Sequence, residues 1–303
     1  MRKTTNWRRS QWVGSYLMIA PMLIGFCVFT IYPICWAIRY AFFDYDGIEA
    51  FFVGFDNFIR LFTRDPDYWQ ALLNTFILAF GKLAIELPLA LLLAILLKNS
   101  VKGSGIFRTI FFMPNIISQA IMGLIFFFMF DTANGIINNA LMEWNIIGLP
   151  INWFGHKWTA MLVIAFVSIW QGFGINMLFF LSGIQGIPAD LYECASLDGA
   201  GKWKSFVHIT LPMLAPTMRI ILMLAMIGTM QTTDLVLVLT NGQPAGKTEV
   251  IMTYIFKYFF NYGEGSAVPQ YGYATACAIV LAIILGCLSG IYLKMTKKGT
   301  QIY

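Results

Sequence analysis

The chain has 303 residues, 58% of them hydrophobic and 12% Asp, Glu, Lys or Arg, against roughly 45–50% apolar and about 25% charged in soluble domains. With a mean hydropathy of +0.70 it holds too little polar material to coat a water-soluble globule, and it lacks both the high charge of a disordered chain and the dense basic footprint of a nucleic-acid binder. The net charge of +5 must have another origin.

Six stretches are apolar over the roughly 20 residues that a helix needs to cross a hydrocarbon core about 30 Å thick. They run from Val13 to Ile38, Ala71 to Leu97, Phe107 to Phe130, Thr159 to Ile184, Leu211 to Leu239 and Tyr271 to Met295. The first follows a basic start, yet it spans about 26 residues and contains Pro21 and Pro33. A secretory signal's apolar region runs only about 7–15 residues, so we expect an uncleaved membrane helix. Its prolines need neighbouring groups to satisfy the freed carbonyls, which predicts a packed bundle.

In the second stretch Lys82 and Glu86 stand four residues apart on one helical face. A lone charge at mid-membrane costs at least about 2.5–3.5 kcal/mol, so the two are expected to pair, as a structural brace or as part of a gate. In the fifth, Arg219 lies near the inner end and can snorkel inward. Asp234, toward the outer end, is either a substrate acceptor or a solvated interface residue.

Lys and Arg accumulate in short cytoplasmic loops. With the N-terminus inside, Arg2, Lys3, Arg8, Arg9, Lys98, Lys102, Arg108, Lys202, Lys204, Lys294, Lys297 and Lys298 fall on the inner side, against Arg39, Arg60, Arg64, Lys157, Lys247 and Lys257 outside. Both termini are therefore predicted to be cytoplasmic. The expected division is a start at 1–12, a first span at 13–38, an external loop at 39–70, a five-span core at 71–295 with an inner loop at 185–210, and a tail at 296–303. Tyr254, Phe256, Tyr258, Phe259, Phe260 and Tyr262 crowd the last outer loop, as an interfacial aromatic belt or as a contact for an external protein.

Several chemistries lack their residues. Cys27, Cys35, Cys277 and Cys287 lie in spans and Cys194 in an inner loop, which gives neither a disulfide framework nor a CxxC pair. His156 and His208 fall on opposite sides of the membrane and no HExxH is present, so zinc catalysis has no ligand set. The stretch from Gly242 to Thr248 looks like a phosphate-binding loop, but only three residues separate its glycines where the loop needs four. If ATP drives this protein, another chain binds it.

The inner loop from Gln185 to Gly201 spells a short helix. Pro188 suits a first helical position, Asp190 and Glu193 favour the positive N-terminal dipole, and Gly199 can take the left-handed stop. Leu191, Cys194, Ala195 and Asp198 share one face. A second short helix from Lys202 to Ile209 sets Trp203, Phe206 and Val207 on one face, before Leu211 and Pro212 open the fifth span. The loop is either an amphipathic turn on the membrane surface or a rigid knuckle whose small residues let a cytoplasmic partner dock.

The order Glu193, Cys194, Ala195, then Gly199 after three residues, then Ile209, Leu211 and Pro212 after nine more, resembles the EAA loop of bacterial ABC importer permeases. Cys194 stands where that family usually has Ala. Gly54, Phe55, Asp56, Asn57 and Phe58, followed by Asp67, Trp69, Leu72, Asn74 and Thr75, are similar to the outer segment leading into the permease core of the sugar-importer branch. Arg108, Pro114, Phe130, Gly135 and Asn138 are similar to that branch's third-span pattern, with Phe126 where Trp is common. The resemblance extends over about residues 13 to 303 and points to the oligosaccharide importers that include the maltose permease.

It implies an all-α integral membrane protein of the bacterial cytoplasmic (inner) membrane: a type I ABC importer permease core, six transmembrane helices and a cytoplasmic coupling helix. It also implies a transport subunit rather than an enzyme, working with a second homologous permease, two ATPase subunits that hold the ATP and Mg, and an extracytoplasmic sugar-binding protein. The chain itself would hold no cofactor. Carried over, Glu193, Ala195 and Gly199, with Cys194 and Asp198 beside them, would form the coupling helix seated in an ATPase cleft. Glu193 would meet a basic group there or serve the helix dipole.

A sugar site needs hydroxyl-binding side chains and apolar or aromatic faces lining a cavity. Ser168, Gln171, Gly172 and Ile175 lie along one side of span four with Trp170 and Asn176 nearby, and Thr229, Gln231, Thr232, Thr233 and Asp234 sit in the outer half of span five. Each is also a candidate for interhelical glue, worth about 0.6 kcal/mol on average. A secondary transporter would favour internal repeats, which are not seen, and would leave the spacing from Glu193 to Pro212 without a reason. A channel needs a filter-like ring, an alternative that one subunit's sequence leaves open. A glycerol-phosphate importer predicts basic groups in the cavity, where spans four and five supply only Arg219.

Overall fold

The computed structural model describes residues 3–98, 103–260 and 268–297; Arg2, Lys102, Tyr262, Lys298 and the rest of the tail lie outside the described residues. In chain order the elements are α1 (Lys3–Phe26), α2 (Tyr32–Tyr40), β1 (Phe43–Tyr45), β2 (Ala50–Phe52), α3 (Asp56–Thr63), α4 (Pro66–Lys98), α5 (Ser104–Ile116), α6 (Gln119–Met129) and α7 (Ile136–Glu143). They continue as α8 (Lys157–Gln185), α9 (Ala189–Leu197), α10 (Lys202–Ser205), α11 (Leu211–Met230), α12 (Asp234–Leu239), α13 (Ile251–Phe260) and α14 (Tyr271–Lys297). Among the described residues five helices are long and apolar enough to cross a membrane, or six when α5 and α6 count as one bent span.

The chain forms two compact units, the first comprising Met1–Arg64 with Lys257–Val280 and the second Asp65–Phe256 with Leu281–Tyr303. In the first, α1 and α2 join into an apolar helix from Gly14 to Tyr40 that buries none of its membrane-length window within the chain. The β1–β2 hairpin pairs Phe43 with Phe52 and Tyr45 with Ala50. In its turn the backbone amides of Glu49 and Ile48 donate to Asp46 at 2.8 and 2.9 Å and hold that exposed carboxyl below its ordinary pKa. Asn57 ties α3 to the hairpin by donating to the carbonyls of Ala41 and Phe43 at 2.9 Å. Arg60 sits 3.9 Å over the Tyr273 ring and donates to Gln270.

The second unit is built on α4 and α8. One apolar cluster joins them to α6 and α12 through Leu78, Met122, Phe126, Ile164, Val167 and Leu235. The other joins them to α11 through Leu83, Leu87, Met177, Phe180, Leu214 and Ile221. Phe126, which replaces the common Trp, packs edge to face on Trp170 and Phe166. Close helix approach uses glycine, as membrane packing requires: a Cβ at Gly174 would run into the Phe111 carbonyl of α5. Asn74 and Thr75 of α4 bind the 240s loop, Asn74 donating to the carbonyls of Lys247 and Glu249 and Thr75 accepting from the Ile251 amide.

Three expectations change. The third stretch is not one helix from Phe107 to Phe130 but two, α5 and α6, meeting at 94°. Ile117 and Ser118 take extended conformations there, and the Ser118 hydroxyl caps α6 by accepting from the Ile121 amide at 3.3 Å, as an N-cap serine does. The fifth stretch ends at Met230 rather than Leu239. Gln231 to Thr233 break it, and α12 starts at Asp234; Thr and Asp side chains offer the backbone competing bonds, and Thr233 Oγ1 donates to the Gln231 carbonyl.

That span also begins earlier than Leu211, because no break separates the expected second short helix from it: α10 runs through a π-turn, Phe206–Thr210, into α11. The Leu211 amide donates to the Phe206 carbonyl, five residues back, immediately before Pro212. The same device precedes Pro33, where the Tyr32 amide donates to the Cys27 carbonyl. A proline lacks its N–H and crowds the carbonyl four residues back, and a one-turn π-bulge accommodates it within a continuous helix.

Gly174→Ala is expected to lower stability by about 1–3 kcal/mol, the range for overpacking a close-packed interior, read as the midpoint of SDS-driven unfolding in mixed micelles. Gly81→Ala, whose Cβ meets open space, should leave the midpoint unchanged or slightly raised. Equal midpoints for the two variants would refute the close α5–α8 contact.

Candidate functional site

Where α5 bends into α6, the second unit forms a half-open cavity of about 470 Å³ between that bend, α4, α8 and α11. The lining is mostly polar for a site at membrane depth: Lys82 and Glu86 from α4, Asn115, Ser118 and Gln119 from the bend, Ser168, Gln171 and Asn176 from α8, Thr229 from α11 and Thr232 after it. Phe179 is the one aromatic ring in the lining.

The charges in the lining do form a pair. Lys82 Nζ lies 3.4 Å from Glu86 Oε2, with Glu86 1% exposed. Asn176 of α8 donates to Glu86 Oε1 at 2.6 Å, and Lys82 donates to Thr229 Oγ1 of α11 at 3.2 Å. The Thr229 hydroxyl in turn donates a hydrogen bond to the Ala225 carbonyl. A Cβ at Gly172 would collide with the Glu86 carboxylate, so the absence of a side chain there is what admits the acid against α8. Four side chains thus link three helices, and the countercharge keeps the buried acid from standing alone.

Of the ten residues anticipated for a substrate pathway, Ser168, Gln171, Gly172, Ile175, Asn176, Thr229 and Thr232 line the cavity, while Gln231, Thr233 and Asp234 do not. Gln231 and Asp234 are exposed at the break that ends α11. Trp170, expected nearby, packs instead among Phe126 and the first apolar cluster. Gln171 also has a structural duty, donating to the Ile117 carbonyl at 2.9 Å where the bend leaves the backbone without a helical partner. Asn115, Ser118 and Gln119 went unnoticed in the sequence. Their signal is a polar interruption just after Pro114 in an otherwise apolar run.

The inner loop forms α9, with Pro188 at the cap position, one residue before the helix, rather than at its first turn. The helix ends in a Schellman motif: Gly199 takes φ +74°, its amide donates to the Ser196 carbonyl, and the Ala200 amide donates to the Ala195 carbonyl. No residue of α9 is buried. Glu193, Cys194 and Asp198 are exposed and Ala195 is half-buried, so the anticipated docking residues stand on a helix that the rest of the chain leaves open. Leu197 and Trp203 are 87% and 74% exposed beside them.

Arg219, expected to snorkel, donates to the Thr296 carbonyl at the end of α14, a favourable place for a cation at a helix C-terminus. The stretch from Gly242 to Thr248 is a tight turn whose amides are engaged internally, Thr248 N with the Gly242 carbonyl and Lys247 N with the Pro244 carbonyl. It does not present the row of free N–H groups that cradles a phosphate. Among the described residues no three His, Cys, Asp or Glu side chains converge as a metal site.

Residues 86–296 match the family described as binding-protein-dependent transport system inner membrane component. The chain is 34% identical over 280 residues to the lactose transport system permease protein of Rhizobium radiobacter, covering 91% of this chain and 92% of that one. It is 34% identical over 300 residues to the arabinooligosaccharides transport system permease protein of Bacillus subtilis, covering 97% and 93%. A chain from the crystal structure of a bacterial alginate ABC transporter, in complex with its alginate pentasaccharide-bound periplasmic protein, superposes with a TM-score of 0.81 at 25% identity, covering 98% of each chain. The chain belongs to the binding-protein-dependent transport family as an integral membrane permease subunit.

Lys82→Met leaves Glu86 without its countercharge and is expected to cost about 3 kcal/mol, whereas Lys82→Met with Glu86→Gln should recover most of that loss. The check is the midpoint of SDS-driven unfolding for both variants. A double variant as unstable as the single would mean that the two charges are not coupled.

Proposed function

We propose that this permease is one half of the translocation pathway of an ATP-driven, binding-protein-dependent importer of neutral oligosaccharides, working in the inner membrane of a bacterium. The bent α5–α6 pair counts as one span, giving six spans with both termini cytoplasmic. In this reading the chain divides into a cytoplasmic start at 1–12, a first span at 13–38, an external loop at 39–70, a core at 71–295 that includes the loop at 185–210, and a cytoplasmic tail at 296–303. The partners are a second homologous permease, two ATPase subunits and an extracytoplasmic sugar-binding protein. ATP and Mg belong to the ATPase subunits, and this chain holds no cofactor.

The observation that carries the proposal is α9, a helix with no buried residue, stopped by a left-handed glycine and bearing the spacing from Glu193 to Gly199. In this reading α9 seats in a cleft of one ATPase through Glu193, Cys194, Ala195, Asp198 and Gly199. Closure of the ATPases draws the coupling helices together, and rigid-body movement of the spans exposes the pathway to alternate sides.

The substrate class rests on the cavity. Its hydroxyls and amides, from Ser168, Gln171, Asn176, Thr229 and Thr232, suit a ring of sugar hydroxyls, with Ile175 as an apolar wall and Gly172 seating the Glu86 carboxylate beside them. Lys82 is matched by Glu86, so the lining carries no net charge from that pair. This favours a neutral sugar over a phosphate ester, which would call for unmatched cations. Gln231, Thr233 and Asp234, at the break after α11, would meet cargo nearer the pathway's outer mouth. The names of the lactose and arabinooligosaccharide relatives agree with the class.

The test is uptake into proteoliposomes holding this chain with its co-purifying permease, ATPase and binding protein, over a panel of neutral and acidic oligosaccharides. ATP-dependent uptake of a neutral oligosaccharide is expected, together with its loss and a weakened ATPase attachment in Glu193→Lys. Ion-gradient-driven uptake by this chain alone, indifferent to Glu193→Lys, would overturn the proposal in favour of a secondary transporter.

A further inference from the structure

Along the chain α9 follows α8 through residues 186–188, and two routes connect it to α11. The covalent one passes through Gly199, with φ +74°, then Gly201, then α10 and the π-turn from Phe206 to Thr210. It is a compliant route: two glycines give the backbone its widest freedom, and the π-turn is a lone widened turn rather than a run of α-helix.

The second route is made of side chains. Tyr192, in the middle of α9, is half-buried and packs against the apolar cluster shared by α4, α8 and α11. Its hydroxyl shares a hydrogen bond with Thr210 Oγ1 at 2.9 Å, and Thr210 is 6% exposed. On the face of its ring lies Lys98 Nζ, 3.7 Å from the centroid, a cation–π geometry. Lys98 is the last residue of α4 and Thr210 the last residue of the π-turn, directly before α11. A single side chain therefore touches the feet of two spans. Both of those spans supply the Lys82, Glu86 and Thr229 network that lines the cavity.

We propose that Tyr192 is a positioning residue that passes movement of α9 directly into α4 and the foot of α11, entering at the last residue of the π-turn and bypassing the glycines and α10 that join α9 to it along the chain. The inference rests on the reading of α9 as the ATPase-coupling helix. It adds that docking and transmission are separate properties of that helix: Glu193 and its exposed neighbours hold the ATPase, while Tyr192 makes the attachment stiff on the membrane side. A connection of this kind matters only when α9 is moved, so its loss should leave attachment and resting hydrolysis in place and reduce the transport obtained per ATP.

The decisive variants are Tyr192→Phe, which keeps the ring and removes the hydroxyl, Thr210→Val, which removes the other half of the same bond, and the two together. In the assembled transporter in proteoliposomes, three quantities are read: ATPase subunits retained on purification, ATP hydrolysis without binding protein, and sugar imported per ATP with binding protein present. Each single variant is expected to keep the first two at native values and to lower the third roughly three- to ten-fold, the scale of one neutral hydrogen bond. The double variant is expected to match the singles, because both remove one bond.

Loss of ATPase subunits in Tyr192→Phe would overturn the proposal by making Tyr192 part of the docking face. Native import per ATP, or additive losses in the double variant, would overturn it as well. Glu193→Lys in the same preparation separates this from the reading beneath it: if that change leaves attachment and import untouched, α9 is not the coupling helix, whatever Tyr192 does.

Discussion

In a hydrocarbon medium every backbone N–H and C=O must find its partner within the protein, and the irregular features of this chain follow from that requirement. Several places where a long helix bends or stops carry a side chain or an altered turn that takes over freed groups. Ser118 caps α6 and Gln171 reaches across from α8 to the Ile117 carbonyl. Arg108 donates to the Leu97 carbonyl at the end of α4, and Arg219 does the same for Thr296 at the end of α14. The prolines at 33 and 212 follow widened turns. Non-helical backbone at membrane depth is tolerated where it lines a cavity, and here the bend after Asn115 and the break near Thr232 both border the same polar cavity. The requirement that shapes the helices thus also locates the candidate site.

The cavity's chemistry and the packing of its walls are the same interactions. Glu86 fits against α8 because Gly172 has no side chain, and Asn176 on the same helix binds its carboxylate. Lys82 neutralises the acid and reaches Thr229 on α11. Any movement that separates α11 from α4 must lengthen or exchange the Lys82–Thr229 bond, and a polar solute in the cavity offers hydroxyls for the exchange. The pair brings no net charge to the cavity, and its bond to Thr229 depends on the spacing of α4 and α11. A purely apolar wall would offer no such replaceable contact.

Much of this was legible in the sequence because the bilayer imposes a length and a composition on each span. The bounds expected for the second, fourth and last stretches lie within a few residues of α4, α8 and α14, and the i to i+4 spacing of Lys82 and Glu86 sufficed to anticipate their pairing. The breaks were missed for a physical reason. Hydropathy averages over a window, and Asn115 to Gln119 or Gln231 to Asp234 are short polar interruptions that an apolar average absorbs. Proline misled in both directions: Pro114 lies inside α5, short of a 94° bend, whereas Pro212 lies in an unbroken helix. Whether a proline ends a helix or passes through it depends on the turn before it and on the groups that neighbouring helices supply, and neither is a local property of the chain.

The position of the π-turn below α11 bears on how force could enter the bundle. A widened turn precedes Pro212 at the foot of this span, a lone departure from regular α-helical bonding. Thr210 is the last residue of that turn, and its hydroxyl meets Tyr192, so the side-chain contact reaches the chain one residue before α11 begins. In the first unit the equivalent turn before Pro33 has no buried residue and belongs to a helix whose membrane-length window is unburied within the chain. The same backbone device thus has no buried residue in the first unit, and in the second it meets a tyrosine of α9 at Thr210. Both turns precede a proline, so the proline alone does not account for the side-chain contact at the second.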